Sequence, residues 1–497
     1  MDCSGLNKNI IIFSLLLFIA AYSAAIYPWM MDDAFIFFRY AENFSDGHGF
    51  VYNPGERVEG CTSFLWLLIL SVAALFNYDL LWFSKIINSF LCAALVYMVA
   101  NSHRHIERFD AFMSSAAAAV AFTSGIFAPW LSSGMEVPLF SFISMAAYFY
   151  TIKAETKLEY GICGVFHAMT LIARPEGIFL AAPAMLYLYW NHKRRKDYGI
   201  YVSLFKLALI YAPYFLWRYF YYGSLLPNTF HAKVGLGLSQ LARGAGYFYD
   251  FFNAAAPLLI LLSAAFFFVI KRRFEDRHIT LLGIYAIMNI IFVIAVGGDF
   301  MYGFRFFAHL IPPLAIISVY ALSMIFKSAV RFKAAVVIVI IYGLIQFYVH
   351  PEICGISNSS PVEFGREAGL FLKSEAASDA LLAINTAGII PYYSKLRTVD
   401  MLGLTDRHIA TSPVDNFGAG PAGHEKGDGE YILNKKPDII VMGNFEGSRI
   451  PVYKSDREIF LNAGFKTSYS LKVHKISVRD QNGKSVEKFF YYFERKK

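Results

Sequence analysis

Apolar stretches of membrane-spanning character recur along the chain to about residue 349 and then stop. They fall at Asn9–Trp29, Leu80–Ala100, Ala111–Ala128, Val137–Thr151, Leu158–Ala173, Gly177–Trp190, Tyr201–Tyr221, Tyr247–Ile270, Ile279–Val296, Phe306–Phe326 and Ala334–Val349, eleven in all. Several are shorter than the roughly 20 residues that cross a bilayer comfortably, which places some helices inside a bundle. Beyond residue 349 the pattern changes. Ala380–Asn385 and Asp438–Met442 read as short buried strands, with helical periodicity before each at Val362–Ser374 and His424–Leu433. Phe465–Val478 and Lys488–Phe493 alternate apolar and polar residues like strands. The predicted fold is a polytopic α-helical membrane protein of about eleven transmembrane helices over residues 1–349, followed by an α/β domain over 350–497.

Charge orients the bundle. With the N-terminus inside, the inner loops hold sixteen basic residues, among them Arg104, Arg108, the KRRK run at 193–196 and Lys271–Arg273. The outer loops hold five: Arg39, Arg57, Arg174, Lys233 and Arg305, with Arg243 assigned to the start of the next helix. One further apolar stretch, Thr62–Asn77, would invert every later loop if it crossed, so it is read as re-entrant or packed without crossing. An odd number of crossings leaves residues 350–497 outside. The first span, followed at once by acidic residues and many later spans, reads as a retained signal-anchor.

Composition narrows the class. The chain is 57% hydrophobic and 16% charged over 497 residues, and its net charge of +8 is spread over short loops. That is no nucleic-acid footprint. The five cysteines (Cys3, Cys61, Cys92, Cys163, Cys354) lack paired spacing and read as packing residues.

The first outer loop, residues 30–79, opens with Asp32 and Asp33. Either carboxylate suits the N-terminus of a short helix. Phe37, Ala41 and Phe44 then form one stripe of a helix in the membrane interface, and Asp32, Arg39, Asn43 and Asp46 another. The acidic pair is open between capping with headgroup contact and chemistry. On the same outer side lie SSGMEVP with Glu136, ARPEG with Arg174 and Glu176, GSLLPNTFHAK with Asn228, His231 and Lys233, and GGDFMYGFRFF with Asp299 and Arg305. Taken singly, each reads as a turn. Together they predict a polar cleft facing outwards.

DDAFIFFRYAENFSDGHGFVYNPGERVEGCTSFLW, SGMEVPLF, ARPEG, LPNTFHAK, GGDFMYGFRFF, VDMLGLTD and PAGHEKGDGEYILNKKPDIIV, in this order, resemble the terminal arabinofuranosyltransferases of actinobacterial cell walls and their wider bacterial relatives. These are membrane glycosyltransferases of the GT-C fold. The resemblance implies a bacterial inner-membrane protein whose active site and C-terminal domain face the periplasm, a polyprenyl-phosphate sugar donor bound on that side, and an acidic residue of the first outer loop at the reacting centre. By position, Asp32 and Asp33 are that pair, with Asp33 the favoured base. Cys61 stands where relatives commonly carry an aromatic residue, which bears on substrate more than on chemistry.

A carboxylate within reach of a sugar hydroxyl takes its proton as the new bond forms. A cation meets the charge gathering on the departing phosphate, with Arg305 first in line and Arg174, Arg39 and Lys233 as alternates. Divalent metal is an alternative means, since Asp32, Asp33, Glu136 and Asp299 are hard oxygen ligands, although no spacing demands one. Asp400, Asp406 and His424 are candidates for lining a saccharide or acceptor site, or equally for strand-end turns and caps. The acceptor is open between an envelope glycan, a protein such as a pilin, and lipid A. A transporter or flippase of lipid-linked sugars is the alternative from another class; it would place its polar site near the midplane between repeats, and no repeat is visible here.

Overall fold

The computed structural model describes residues 3–25, 29–195, 198–235, 237–354, 362–479 and 484–496. Residues 26–28, at the end of the first expected span, and Lys196 of the KRRK run lie outside the described residues.

Among the described residues, Leu80–Ala100, Gly199–Tyr222, Arg277–Val296 and Ala329–Val349 are each long and apolar enough to cross a membrane alone. Asn9–Ala21, Phe64–Leu75, Ala111–Phe122, Val137–Lys153 and Ile311–Ile325 are shorter apolar helices. The exterior is greasy, with Phe90, Phe205 and Phe220 exposed, while small residues such as Ala117, Ala118 and Ala121 are buried between helices.

Three expected spans are interrupted. Tyr247–Ile270 is two helices, Leu238–Ala254 and Ala256–Lys271, bent by 96°. Ala255 leaves helical geometry at the bend, and Pro257 then starts the second helix without an N–H to extend the first. Phe306–Phe326 breaks after Ala308, and Pro312 opens the following helix, Ile311–Ile325. Ala111–Ala128 ends as a helix at Phe122. Thr62–Asn77 forms a twelve-residue helix, Phe64–Leu75. At 1.5 Å per residue it is about 18 Å long, well short of the hydrocarbon thickness.

The C-terminal unit is built on a mixed sheet. Its strands are β1 (Leu381–Ile384), β2 (Arg397–Asp400), β3 (Ile439–Val441), β4 (Tyr469–Arg479) and β5 (Ser485–Arg495), in the order β2-β1-β3-β5-β4. β1 pairs in parallel with β2 and β3, whereas β5 is antiparallel to β3 and β4. Alternation along β1 sends Leu382 and Ile384 to one buried face, with Phe364 and Phe490, and Ala383 to the other, with Val399, Ile440 and Phe493. Two expectations shift here. The helix expected over His424–Leu433 begins only at Gly429, where Asp428 accepts the Tyr431 N–H at 2.9 Å. The strand expected from Phe465 begins at Tyr469, because Asn462 caps a short helix, Ala463–Ser468, before it.

The acidic helix, Asp32–Ser45, is not an interfacial helix with one stripe to lipid. Every residue from Ala34 to Ala41 is buried, because the helix is clasped between the bundle and the C-terminal unit. Tyr52 donates to the Ala387 carbonyl at 2.6 Å. Asn53 exchanges bonds with Thr398, giving to its carbonyl at 2.8 Å and receiving its N–H at 3.1 Å. Glu42 accepts from Tyr392 at 2.7 Å and pairs with Lys395.

Candidate active site

Four chain segments end at one cavity of about 250 Å³. Each ends there for a local reason. Arg174 follows the helix Lys157–Ala173 in extended geometry (φ −158°, ψ 140°), as Pro175 requires of the residue before it. Glu136 immediately precedes the helix Val137–Lys153, whose second residue is Pro138. Lys233 closes the six-residue helix Asn228–Lys233. Gly297 and Gly298 both adopt positive φ (86° and 72°), turning the chain out of Arg277–Val296 towards Asp299 and Arg305.

Asp33, Glu136, Arg174, Glu176, Lys233 and Arg305 line this cavity. Arg174 is bracketed by two carboxylates, Glu136 and, at 2.5 Å, Glu176. Arg305 pairs with Asp299 at 2.8 Å and lies 3.7 Å from Asp33 Oδ2. Lys233 has no carboxylate partner among the described residues; its ammonium sits 5.8 Å from the centre of the Phe300 ring. Burial lowers the Lys233 pKa, and the Arg305 charge pushes the same way, against Asp33 and Asp299. The carboxylates proposed as metal ligands are engaged separately, Glu136 with Arg174, Asp299 with Arg305 and Asp32 with backbone amides. Among the described residues no group of three or more His, Cys, Asp or Glu is arranged to hold a metal ion.

Asp32 faces elsewhere. Its carboxylate accepts the N–H of Gly388 at 3.0 Å and of Ile389 at 2.9 Å, capping the helix Ile389–Ser394 rather than its own. The approach is so close that a Cβ at Gly388 would lie 2.1 Å from the Asp32 carbonyl oxygen. Burial raises the Asp32 carboxyl to about 7, the Asp33 charge adds to the rise, and the two N–H bonds oppose it.

Other expected site residues are structural ties. Arg39, an alternate for phosphate, spends all five N–H donors on Tyr52, Pro391 and Leu396 carbonyls, Asn53 and Thr398. None remains for a ligand. Asn228 donates to the Gly403 and Leu404 carbonyls at 2.8 and 3.0 Å. Asp400 accepts the N–H groups of Leu402, Gly403 and Thr405, building the turn that sets Leu404 into the cavity wall. Burial nevertheless raises its carboxyl to about 6. Asp406 caps the helix Arg407–Thr411. His231 meets only the neighbouring Phe230 ring, at 6.0 Å, among the described ring contacts, and does not line the cavity. His424 packs edge-on against Phe300 at 4.3 Å, and burial lowers its pKa.

Glu59 and Arg218, absent from the site residues expected from sequence, form a buried pair in which Arg218 Nε donates to Glu59 at 2.7 Å. It holds the long helix Gly199–Tyr222 against the loop leading to Cys61 and Thr62 in the cavity wall. A lone arginine inside an apolar span was the available signal.

Residues 356–487 match a family described as a domain of unknown function, DUF8728. The chain is 27% identical over 341 residues to a terminal beta-(1->2)-arabinofuranosyltransferase of Corynebacterium glutamicum, a match covering 58% of this chain and 48% of that protein. The chain therefore spans about half the length of that curated relative. In structure it resembles ArnT from Cupriavidus metallidurans bound to undecaprenyl phosphate, with a TM-score of 0.57 at 10% identity over 97% of each chain. It also resembles the mycobacterial arabinofuranosyltransferase AftD, with a TM-score of 0.55 at 12% identity over 98% of this chain and 39% of that one. The chain has the GT-C fold of these membrane glycosyltransferases, and its sequence is similar to that of a terminal arabinofuranosyltransferase.

Proposed function

We propose that the protein is a membrane glycosyltransferase. It moves a sugar, a pentofuranose such as arabinofuranose, from polyprenyl phosphate to an envelope glycan on the outer face of the inner membrane. The observation that carries this reading is the meeting of Asp33 with two cations in one cavity, Arg305 at 3.7 Å and Lys233 without a carboxylate partner among the described residues. The likeness to an arabinofuranosyltransferase in sequence, and to a protein holding undecaprenyl phosphate in fold, supports it.

The acceptor hydroxyl oxygen attacks the anomeric carbon, and the bond from that carbon to the phosphate oxygen breaks. The hydroxyl proton passes to Asp33. Polyprenyl phosphate leaves with the bonding pair, and its charge is met by Arg305 and Lys233. Arg174, neutralised by Glu136 and Glu176, supplies hydrogen bonds to sugar hydroxyls rather than net charge. A base acting on the acceptor implies inversion at the anomeric carbon.

The test is purified protein offered a panel of polyprenyl-phosphate sugars with envelope-glycan acceptors, scored by product mass and linkage. Transfer from a polyprenyl-phosphate pentofuranose is expected. Folded protein that uses none of the lipid-linked donors, or that uses a nucleotide sugar instead, would overturn the reading.

A further inference from the structure

We infer that Gln240, Arg243 and Glu425 form a positioning node that sets the distance between Lys233 and Arg305; this rests on reading those two cations as the phosphate site. None of the three lines the cavity, and none is among the site residues expected from sequence, although Glu425 follows His424 in the PAGHEK stretch.

Gln240 and Arg243 are three residues apart on the helix Leu238–Ala254 and so share a face. Gln240 reaches in two directions. Its Oε1 accepts the N–H of Gly235, two residues after Lys233, at 2.6 Å, and its Nε2 donates to the Ala295 carbonyl at 2.8 Å. Arg243 takes hold one turn on. Its Nε donates to the Gly297 carbonyl at 2.9 Å, and its Nη1 to the Gly420 carbonyl at 2.9 Å and to Glu425 at 2.6 Å. The other oxygen of Glu425 accepts the N–H groups of Gly418 and Gly420 at 2.7 and 2.8 Å.

The two ends of this node lead straight into the cavity. Gly235 is two residues from Lys233. Gly297 is two residues from Asp299, whose carboxylate holds Arg305 Nε at 2.8 Å. The packing leaves no slack: a Cβ at Gly297 would come within 2.7 Å of Arg243 Nη2 and of Gln240 Cγ, and one at Gly418 within 2.3 Å of the Gln240 nitrogen. Gln240 is 1% exposed and the Glu425 side chain 6%. Burying an ion pair costs desolvation that apolar packing avoids. What it provides here is direction, since a guanidinium fixes two carbonyls and a carboxylate in one plane. Glu425 belongs to the C-terminal unit, so that unit helps to space the cations of a cavity lined largely by the bundle.

The test measures equilibrium binding of decaprenyl phosphate to purified full-length variants, alongside their melting temperatures. Gln240→Ala, Arg243→Ala and Glu425→Ala are each expected to weaken binding roughly ten- to a hundred-fold, as misplacement at a distance does. The Arg243→Ala/Glu425→Ala double variant should be no weaker than the worse single one, because both act through one linkage. Glu425→Gln, whose single amide oxygen still accepts the Gly418 and Gly420 N–H groups while its NH2 faces the Arg243 donor, should recover only part of the affinity lost in Glu425→Ala. Folded variants binding with parental affinity, or an additive double variant, would overturn the inference. If Arg243→Ala does not fold, Gln240→Ala and Glu425→Ala against Glu425→Gln decide it by the same criteria. Lys233→Ala and Arg305→Ala run in parallel: if the parent binds no decaprenyl phosphate, or these two bind it as well as the parent, the phosphate-site reading itself falls and the node with it.

Discussion

Asp33 Oδ2 lies 3.7 Å from Arg305 Nη1, while the neighbouring Asp32 receives the N–H of Ile389 at 2.9 Å, 357 positions along the chain. One helical step of about 100° separates their side chains and sends them to different partners. Asp33→Asn should therefore slow single-turnover transfer by roughly 10²–10⁴, the share that positioned acid–base groups contribute. Asp32→Asn should change the chemical step only a few-fold. If both variants turn over near the parental rate, the base must be sought at Glu136 or Asp299.

Asp32 has its own signature in pH. Burial lifts its carboxyl from the ordinary 3.8 to about 7, so between those values the folded state holds a proton that the unfolded chain has released. Its contribution to stability falls as pH rises from about 4 to about 7 and is level above that. Asp400, lifted to about 6 by burial, acts with the same sign over a narrower window. Melting temperatures across this range should fall less steeply with pH in Asp32→Asn than in the parent. An unchanged slope would remove Asp32 as its source.

For the leaving group, Arg305→Ala should lose activity by about 10²-fold or more, and Arg305→Lys should lose less, because it keeps the charge while losing the planar donor pair. Both should purify as folded protein. Near-normal turnover in both would take Arg305 out of the mechanism.

Arg39 makes the opposite prediction. Removing it takes a charged donor from three carbonyls at the joint between the acidic helix and the C-terminal unit and leaves each with a weaker neutral partner. Arg39→Ala should destabilise the fold by about 2–4 kcal/mol while leaving donor affinity of the folded fraction unchanged. A specific loss of donor affinity at parental melting temperature would return Arg39 to the phosphate site.

Orientation is read with a single cysteine at Ser468, an exposed position at the end of the helix Ala463–Ser468, in a chain otherwise free of cysteine. A membrane-impermeant thiol reagent should label it in intact spheroplasts. Labelling only after lysis would invert the topology.

Hydropathy period by itself determined that the first 349 residues are helical and apolar and that short buried strands follow, because these follow from local burial repeated along the chain. Pro and Gly in ARPEG and GGDF likewise marked the turns that carry Arg174 and Arg305. The sequence missed β2, whose Arg397–Asp400 has little apolar pattern and is a strand because β1 lies beside it. It also ranked Arg305 ahead of Arg39 for the phosphate without being able to exclude Arg39. Both read as arginines of polar loops between apolar spans; one is spent on carbonyls from residues 391 and 396, the other faces a cavity. Which face of a helix meets which partner hundreds of residues away is set by packing between units. Asp32 and Asp33, alike in sequence, were therefore separated only by the tertiary structure, which placed an N-terminal helix cap beside one and a guanidinium beside the other.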